Sequence, residues 1–381
     1  MKNATYHHRS GLCRLGLILG LAAIAPLAHA VQVQPAPTDP DSPIRLSSNE
    51  NAFGFSPAAK RAMLENIDAG SYYNRNNITD LINQISRREN VPANHILTTA
   101  GSGPVLMMTA LAYAEPGKNA VTTAMGYTQL TRRFELQGGE IKYAPLGPDM
   151  GYDFDALAAL IDENTVLVYI CNPNNPTGTL ADPRALRRFI LSVPPRVLVF
   201  VDEAYLEISD TPFETNTMAP LVRLRPNVLI SRTFSKCFGM AGFRIGYAVA
   251  NPAILEKISP YHMGAPTYLS AIAAREALLD TQFMEYSKRH YQEVRNYVKA
   301  EFDKMGIQYA DPQGAFVFFR PGNGLSGDAL RDAMAQHGIL ISGSRESGVE
   351  PGSFADWARV SLGNMDEMKA FIAALNEILK S

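Results

Sequence analysis

Between Tyr72 and His262, short apolar runs alternate with longer helix-forming stretches, and this alternation constrains the fold more than any other feature of the chain. The runs Lys118–Thr122, Val166–Ile170, Val197–Val201 and Val228–Ile230 are strand-like. Strands spaced by helices argue for an α/β fold, with a mostly parallel sheet covered by helices on both faces. The chain has 381 residues, enough for about two domains with large buried cores. From Pro266 a long helical region runs through Lys304 towards a smaller C-terminal unit, with strands expected near Ala315–Phe319 and Ala358–Leu362.

Sheets of this kind place ligands where strands end. The last of the four runs exits into Ser231, Thr233, Ser235 and Lys236, with Arg244 shortly after. A lone lysine in such a loop is ordinarily a solvated charge, so the weight falls on its company. Val166–Ile170 leads into CNPNNPTG, Cys171–Gly178, which carries Asn175, and Val197–Val201 leads into Asp202 and Tyr205. An amine partly desolvated near other cations loses its proton more easily, and as a neutral amine it attacks aldehydes to form a Schiff base. A carboxylate keeps a pyridine nitrogen protonated, while phenol and amide donors tune a ring hydroxyl. Lys236, Asp202, Tyr205 and Asn175 are therefore the inventory that pyridoxal 5'-phosphate demands. Upstream, Gly101, Ser102 and Gly103 open the apolar helical stretch Val105–Ala114. A Gly-rich turn at a helix N-terminus cradles phosphate through backbone N–H groups and the helix dipole. Arg244 is a bidentate phosphate partner, and Tyr127 in AMGYTQL is a candidate to stack on the ring.

From Ile44 to the C-terminus the chain resembles the fold-type I pyridoxal-phosphate aminotransferases of class I/II, and within them the histidinol-phosphate aminotransferase branch. The motifs are LSSNENAFG (Leu46–Gly54), NPNNPTG (Asn172–Gly178), VDEAY (Val201–Tyr205), SRTFSKCFGMAGFRIGY (Ser231–Tyr247) and WARVSLG (Trp357–Gly363). The resemblance implies a large domain, residues 72–262, with a mostly parallel seven-stranded sheet sandwiched by helices. It implies an interdomain helix and smaller α/β domain over 263–381, completed by the segment 44–71. By position, it implies that Lys236 forms the Schiff base and shuttles the substrate proton, that Asp202 holds the pyridinium, and that Tyr205 and Asn175 meet the ring hydroxyl. Thr233, Ser235, Arg244 and the Gly101–Gly103 amides would take the phosphate, Arg359 the substrate α-carboxylate, with Asn175 and Phe53 also in the substrate site. Tyr73 would reach the neighbouring subunit's cofactor phosphate, which implies a homodimer. The activity implied is transfer of an amino group between an amino acid, or an amine like histidinol phosphate, and a 2-oxo acid. A carbon–sulfur lyase, decarboxylase or racemase would keep the same residues, and a secreted binding protein without turnover is a further alternative.

Two positions depart from the family pattern. Phe53 in NENAFG replaces a tyrosine at the mouth of the site, and GILIS leaves Ser342 where relatives acting on phosphorylated substrates carry an arginine. Arg345 is the nearby cation that could compensate; without it, an uncharged, aromatic donor fits better.

Net charge is −2, from 35 basic and 37 acidic residues, which offers nothing to nucleic acid. No Cys and His cluster has metal-ligand spacing, and Cys171 and Cys237 read as buried thiols rather than a disulfide. Residues 1–30 combine His7, His8, Arg9 and Arg14 with the apolar run LGLILGLAAIAPLA and end in Ala28-His29-Ala30. This reads as a secretory signal peptide cleaved after Ala30, and the expected location is periplasmic or secreted, with no stable membrane association after cleavage. The Pro- and Asp-rich stretch Val31–Pro43 follows as a linker or arm.

Overall fold

The computed structural model describes residues 42–73, 76–262, 264–344 and 354–380. The expected signal peptide, nearly all of the linker, and Arg345 lie outside the described residues.

The strands are β1 (Ile44–Arg45), β2 (Ile96–Thr99), β3 (Asn119–Thr123), β4 (Glu140–Ala144), β5 (Thr165–Cys171) and β6 (Leu198–Asp202). They continue with β7 (Val228–Thr233), β8 (Gly246–Ala250), β9 (Gln308–Tyr309), β10 (Phe316–Arg320), β11 (Ile339–Leu340) and β12 (Ala358–Ser361). Seven of them form one sheet in the order β2-β8-β7-β6-β5-β3-β4. Every pairing from β7 to β4 is parallel, and β8 alone runs against its neighbours. The expected fold class is therefore the one observed. β6, β7 and β8 are buried along their whole length, as both-face coverage by helices requires.

One covering helix shows how the sequence sets this up. Pro183–Ser192 starts with proline in its first turn, and the Asp182 side chain accepts from the Ala185 N–H, closing an orphan donor. Leu186, Phe189 and Ile190, at i, i+3 and i+4, then bury one stripe against the sheet.

The smaller region holds the antiparallel sheet β12-β10-β9 and the parallel pair β1-β11. Segment 44–71 contributes β1, which pairs with β11, and its helix Pro57–Glu65 packs on the helix Tyr268–Leu279. The helical region expected from Pro266 to Lys304 is two helices, Tyr268–Leu279 and Thr281–Met305. Asp280 divides them, its side chain capping the second by accepting from the Phe283 N–H. Among the described residues no helix is long and apolar enough to cross a membrane.

Candidate active site

Parallel strands end together, so the side chains at the exits of β5, β6 and β7 meet at one edge of the sheet. Cys171 pairs with Asp202 and Asp202 with Ser231 across the three strands. A cavity of about 550 Å³ opens there, lined by Tyr127, Asn175, Asp202, Tyr205, Thr233, Ser235, Lys236, Arg244 and Arg359.

Asp202 is buried and accepts a hydrogen bond from Ser231 Oγ at 2.7 Å. Burial pushes its carboxyl up to about 6, against the pull of Ser231, the Ala204 N–H and Lys236. It thus carries a charge at neutral pH and would gain from a cation beside it. Burial likewise draws the Lys236 amine down to about 8, helped by Arg359 and Arg244 and opposed by Glu50 and Asp202. About one lysine in ten is then neutral at pH 7, which an unperturbed amine would not approach. Its Nζ donates to the carbonyls of Ser48 at 3.2 Å and Asn49 at 3.1 Å.

At the other end, Ser102 and Gly103 precede and open the helix Gly103–Tyr113 and line the cavity together with Arg244, Ser235 and Thr233. Thr233 Oγ1 donates to Ser235 Oγ at 2.9 Å, and the Ser235 N–H donates back to Thr233 Oγ1 at 3.1 Å. Gly101 does not line the cavity; it lies behind the Arg244 guanidinium, where a Cβ would fall 2.2 Å from Nη2. A glycine at 101 is thus what lets the arginine lie against this turn. Arg244 itself takes a left-handed backbone, φ 49°, and is tied to the Ala241 carbonyl at 2.9 Å. Helix-terminal N–H groups, two hydroxyls and a guanidinium form a cradle for a phosphate dianion. A buried carboxylate and a low-pKa lysine stand across the same cavity. The donor set therefore fits pyridoxal 5'-phosphate.

Arg359, on β12, enters from the smaller region. It is buried, donating from Nη1 to Asn175 Oδ1 at 2.7 Å and from Nη2 to the Ser47 carbonyl at 2.8 Å and Ser342 Oγ at 3.0 Å. Ser342 Oγ in turn donates to the Ser47 carbonyl at 3.1 Å. The serine at the departed position therefore works as part of the arginine's mounting.

Besides Gly101, Phe53 and Tyr73 do not line the cavity of this chain, though Tyr73 was expected to reach the neighbouring subunit's. Phe53 does not line the cavity; its ring packs edge-on against Tyr286 and His290, with centroids 5.1 and 4.2 Å away, because Asn51 Oδ1 holds its N–H and turns the chain outwards. Tyr73 is fully exposed and outside the cavity. Sequence reasoning missed Ser48, Asn49 and Glu50, which wall the cavity opposite the sheet, and also Gln129 and Arg132. LSSNENAFG was legible as a motif, yet nothing in it says which residue turns inwards. Among the described residues no His, Cys, Asp or Glu cluster could hold a metal ion.

The model of the family Aminotransferase class I and II matches residues 41–375. The chain is 34% identical to histidinol-phosphate aminotransferase 1 of Cupriavidus pinatubonensis, over 88% of each chain. It is 32% identical to the histidinol-phosphate aminotransferase of Halalkalibacterium halodurans, over 88% of this chain and 89% of that one. The crystal structure of the Sinorhizobium meliloti histidinol-phosphate aminotransferase in complex with pyridoxal-5'-phosphate superposes with a TM-score of 0.79 at 26% identity, covering 88% of this chain and 91% of that one. The fold and cavity define a fold-type I enzyme dependent on pyridoxal phosphate. The chain belongs to the class I and II aminotransferases and is a pyridoxal-phosphate-dependent transaminase.

Proposed function

We propose that this transaminase takes its amino group from an α-amino acid with an uncharged side chain and passes it to a 2-oxo acid. The observation that carries the reading is the mounting of Arg359: buried, and bonded to Asn175, Ser47 and Ser342 at the wall of the cavity that also holds Lys236. A guanidinium held this way fixes a positive charge at the cavity wall, where it can attract one carboxylate beside the reacting carbon. Ser342 brings no second cation for a further anionic group.

When bound, pyridoxal phosphate supplies the electron sink that takes up the amino group and the electron pair of the broken C–H bond. The protein supplies the rest. Lys236 Nζ, with its lowered pKa, accepts the substrate proton and returns it. The Asp202 carboxylate would hold positive charge on the ring nitrogen, and Tyr205 and Asn175 would meet the ring hydroxyl. Ser102, Gly103, Thr233, Ser235 and Arg244 would hold the phosphate, and Tyr127 would cover the ring. Arg359 fixes the substrate so that the bond to be broken has one orientation.

A donor panel tests the substrate. Single-turnover spectra should show conversion of the bound cofactor by neutral, especially aromatic, amino acids, with histidinol phosphate at least about tenfold slower. The second reading, histidinol phosphate as donor, is favoured by the names of the relatives and wins if that ratio is reversed.

A homodimer completed by Tyr73 fits that residue's full exposure; a monomer by sedimentation, or a Tyr73→Phe cofactor affinity equal to wild type, refutes it. Export to the periplasm rests on residues 1–30 and requires the mature chain to begin at Val31 in a periplasmic extract.

A further inference from the structure

The segment Leu46–Gly54 passes over the cavity, and Asn49 is the residue on it with the most bonds into the site. We propose that Asn49 is a positioning residue that aims the Tyr205 hydroxyl proton into the cavity, towards the ring oxygen of the bound cofactor. The inference rests on the assignment of Tyr205 to that oxygen.

Asn49 is buried and has φ 54°, a left-handed backbone that asparagine tolerates better than most side-chain-bearing residues. Each of its polar groups is used. The backbone N–H donates to Ser361 Oγ at 2.8 Å, and Ser361 Oγ donates back to Asn49 Oδ1 at 2.8 Å. The backbone carbonyl accepts from Lys236 Nζ at 3.1 Å, and Nδ2 donates to Tyr205 Oη at 3.1 Å. The pair with Ser361 fixes the orientation of the side-chain amide. Ser361 Oγ already accepts from the Asn49 N–H, so its own proton goes to Oδ1, which leaves Nδ2 as the end facing the phenol.

That orientation determines where the phenol proton goes. A phenol carries one proton, and a hydrogen on Nδ2 occupies one of the oxygen's acceptor directions, so the O–H must point elsewhere. Tyr205 lines the cavity, while its ring is held edge-on against Phe316 at 5.1 Å. The cavity is thus the direction left for the proton. Donation from Nδ2 also polarises the phenol and makes it a stronger donor, offsetting part of the upward push that burial gives its pKa. Ser361 sits two residues beyond Arg359 on β12, so the same asparagine ties the substrate-binding strand to the phenol and the lysine.

The test is the pH titration of the visible absorbance of cofactor-loaded enzyme, in wild type, Asn49→Gly, Asn49→Asp, Tyr205→Phe and the Asn49→Gly/Tyr205→Phe double variant. Glycine keeps the left-handed backbone and its carbonyl without strain and removes only the side chain. Aspartate keeps the shape but only accepts, so it draws the phenol proton away from the cavity. Loss of a donor to the ring oxygen raises the pH at which the chromophore gives up its proton. The expected midpoint rises by about 1 in Asn49→Gly, a tenfold gain in proton affinity, and further in Asn49→Asp. If Asn49 acts through Tyr205, the double variant matches Tyr205→Phe to within about 0.3. The proposal is overturned if Asn49→Gly leaves the midpoint in place while Tyr205→Phe moves it, or if the two shifts add. A silent Tyr205→Phe instead refutes the assignment of the phenol, and the inference falls with it. Should Asn49→Asp fail to fold, Asn49→Gly decides.

Discussion

Buried charge lies beside both faces of strand β7, and the two faces treat it in opposite ways. On one face Thr233 lines the cavity and Ser231 bonds to Asp202, while Lys236 is bonded to carbonyls. Arg232, between them, points to the other face, where Nη2 meets Glu203 at 2.7 Å, Nε meets Glu89 at 3.3 Å and Nη1 meets Glu207 at 3.5 Å. Arg88 joins the cluster through Glu207 at 3.1 Å, and Tyr247 donates to Glu89 at 2.7 Å. Both guanidinium groups lie over the Phe213 ring, at 4.4 and 4.7 Å. Here acids and bases pair with one another within the protein. In the cavity the carboxylate and the amine are kept apart, and their pKa values move towards each other, Asp202 up to about 6 and Lys236 down to about 8. Buried charge that has found its partners is structure; buried charge without an ion-pair partner is where a ligand belongs.

This contrast is best tested by substitutions that separate activity from stability. Lys236→Ala should reduce turnover by at least about 10⁴-fold while leaving the unfolding midpoint no lower than wild type, since it removes a desolvated amine and no ion pair. A comparable loss of stability would put Lys236 on the structural side. Arg232→Met should do the converse, leaving three carboxylates facing one arginine; it should cost about 3–5 kcal/mol, a midpoint drop on the order of 10 °C. Cofactor affinity of the folded fraction should stay at wild type, measured by absorbance titration. Asp202→Asn keeps the side-chain shape and a partner for Ser231 but discards the charge, so turnover should fall by about 10²–10³-fold with thermal stability nearly unchanged. Turnover within tenfold of wild type would remove Asp202 from the chemistry.

The site was legible in sequence where chemistry coincides with strand ends. Asp202, Lys236 and Asn175 each follow an apolar run, so topology alone brings them together. Arg244 and the Gly101–Gly103 turn were legible because an arginine and a Gly-rich turn at a helix N-terminus are both phosphate partners, whereas the room that Gly101 leaves for the guanidinium was not. Phe53 was misplaced because one residue of chain direction decides which side chain of a loop turns inwards, and that direction is set by Asn51 bonding to the Cys237 carbonyl and to Ser287, distant partners no local pattern reveals. The Arg232 cluster was invisible for a related reason. Its members come from sequence positions spread between Arg88 and Tyr247, and only the folded sheet collects them. The break at Asp280 was missed because the helical periodicity continues across it, while the cap acts through a single side chain.

The lysine gives the contrast a pH signature. Its pKa is lowered, so the reactive neutral form is minor at pH 7 and predominant by pH 9, with the midpoint at about 8. Asp202, at about 6, is ionised throughout that window and does not confuse the reading. The rate at which apoenzyme takes up pyridoxal 5'-phosphate, followed by visible absorbance, should therefore rise about tenfold from pH 7 to pH 9 and then level off. A rate still climbing steeply above pH 10 would mean that the amine is unperturbed and the cavity better hydrated than its walls suggest.

The smallest effect is expected at the rim of the ion cluster, and it follows from counting charges. Glu89, Glu203 and Glu207 face Arg88 and Arg232, one acid in excess. Burial pushes the Glu203 carboxyl up to about 7 against the pull of Arg232, and the neighbouring Glu89 adds to the push. Removing a base from such a set deepens the imbalance; removing an acid relieves it. Glu207 is the acid to choose, since it holds Arg232 at the longest of the three distances and its other partner, Arg88, reaches solvent. Glu207→Gln leaves two acids against two arginines and keeps an acceptor for both, so its cost should be about 1 kcal/mol by denaturant unfolding, several times less than Arg232→Met. Equal losses from the two variants would show that the cluster is held by its individual contacts, with charge balance playing no part, and the distinction between the two faces of β7 would have to be drawn on geometry alone.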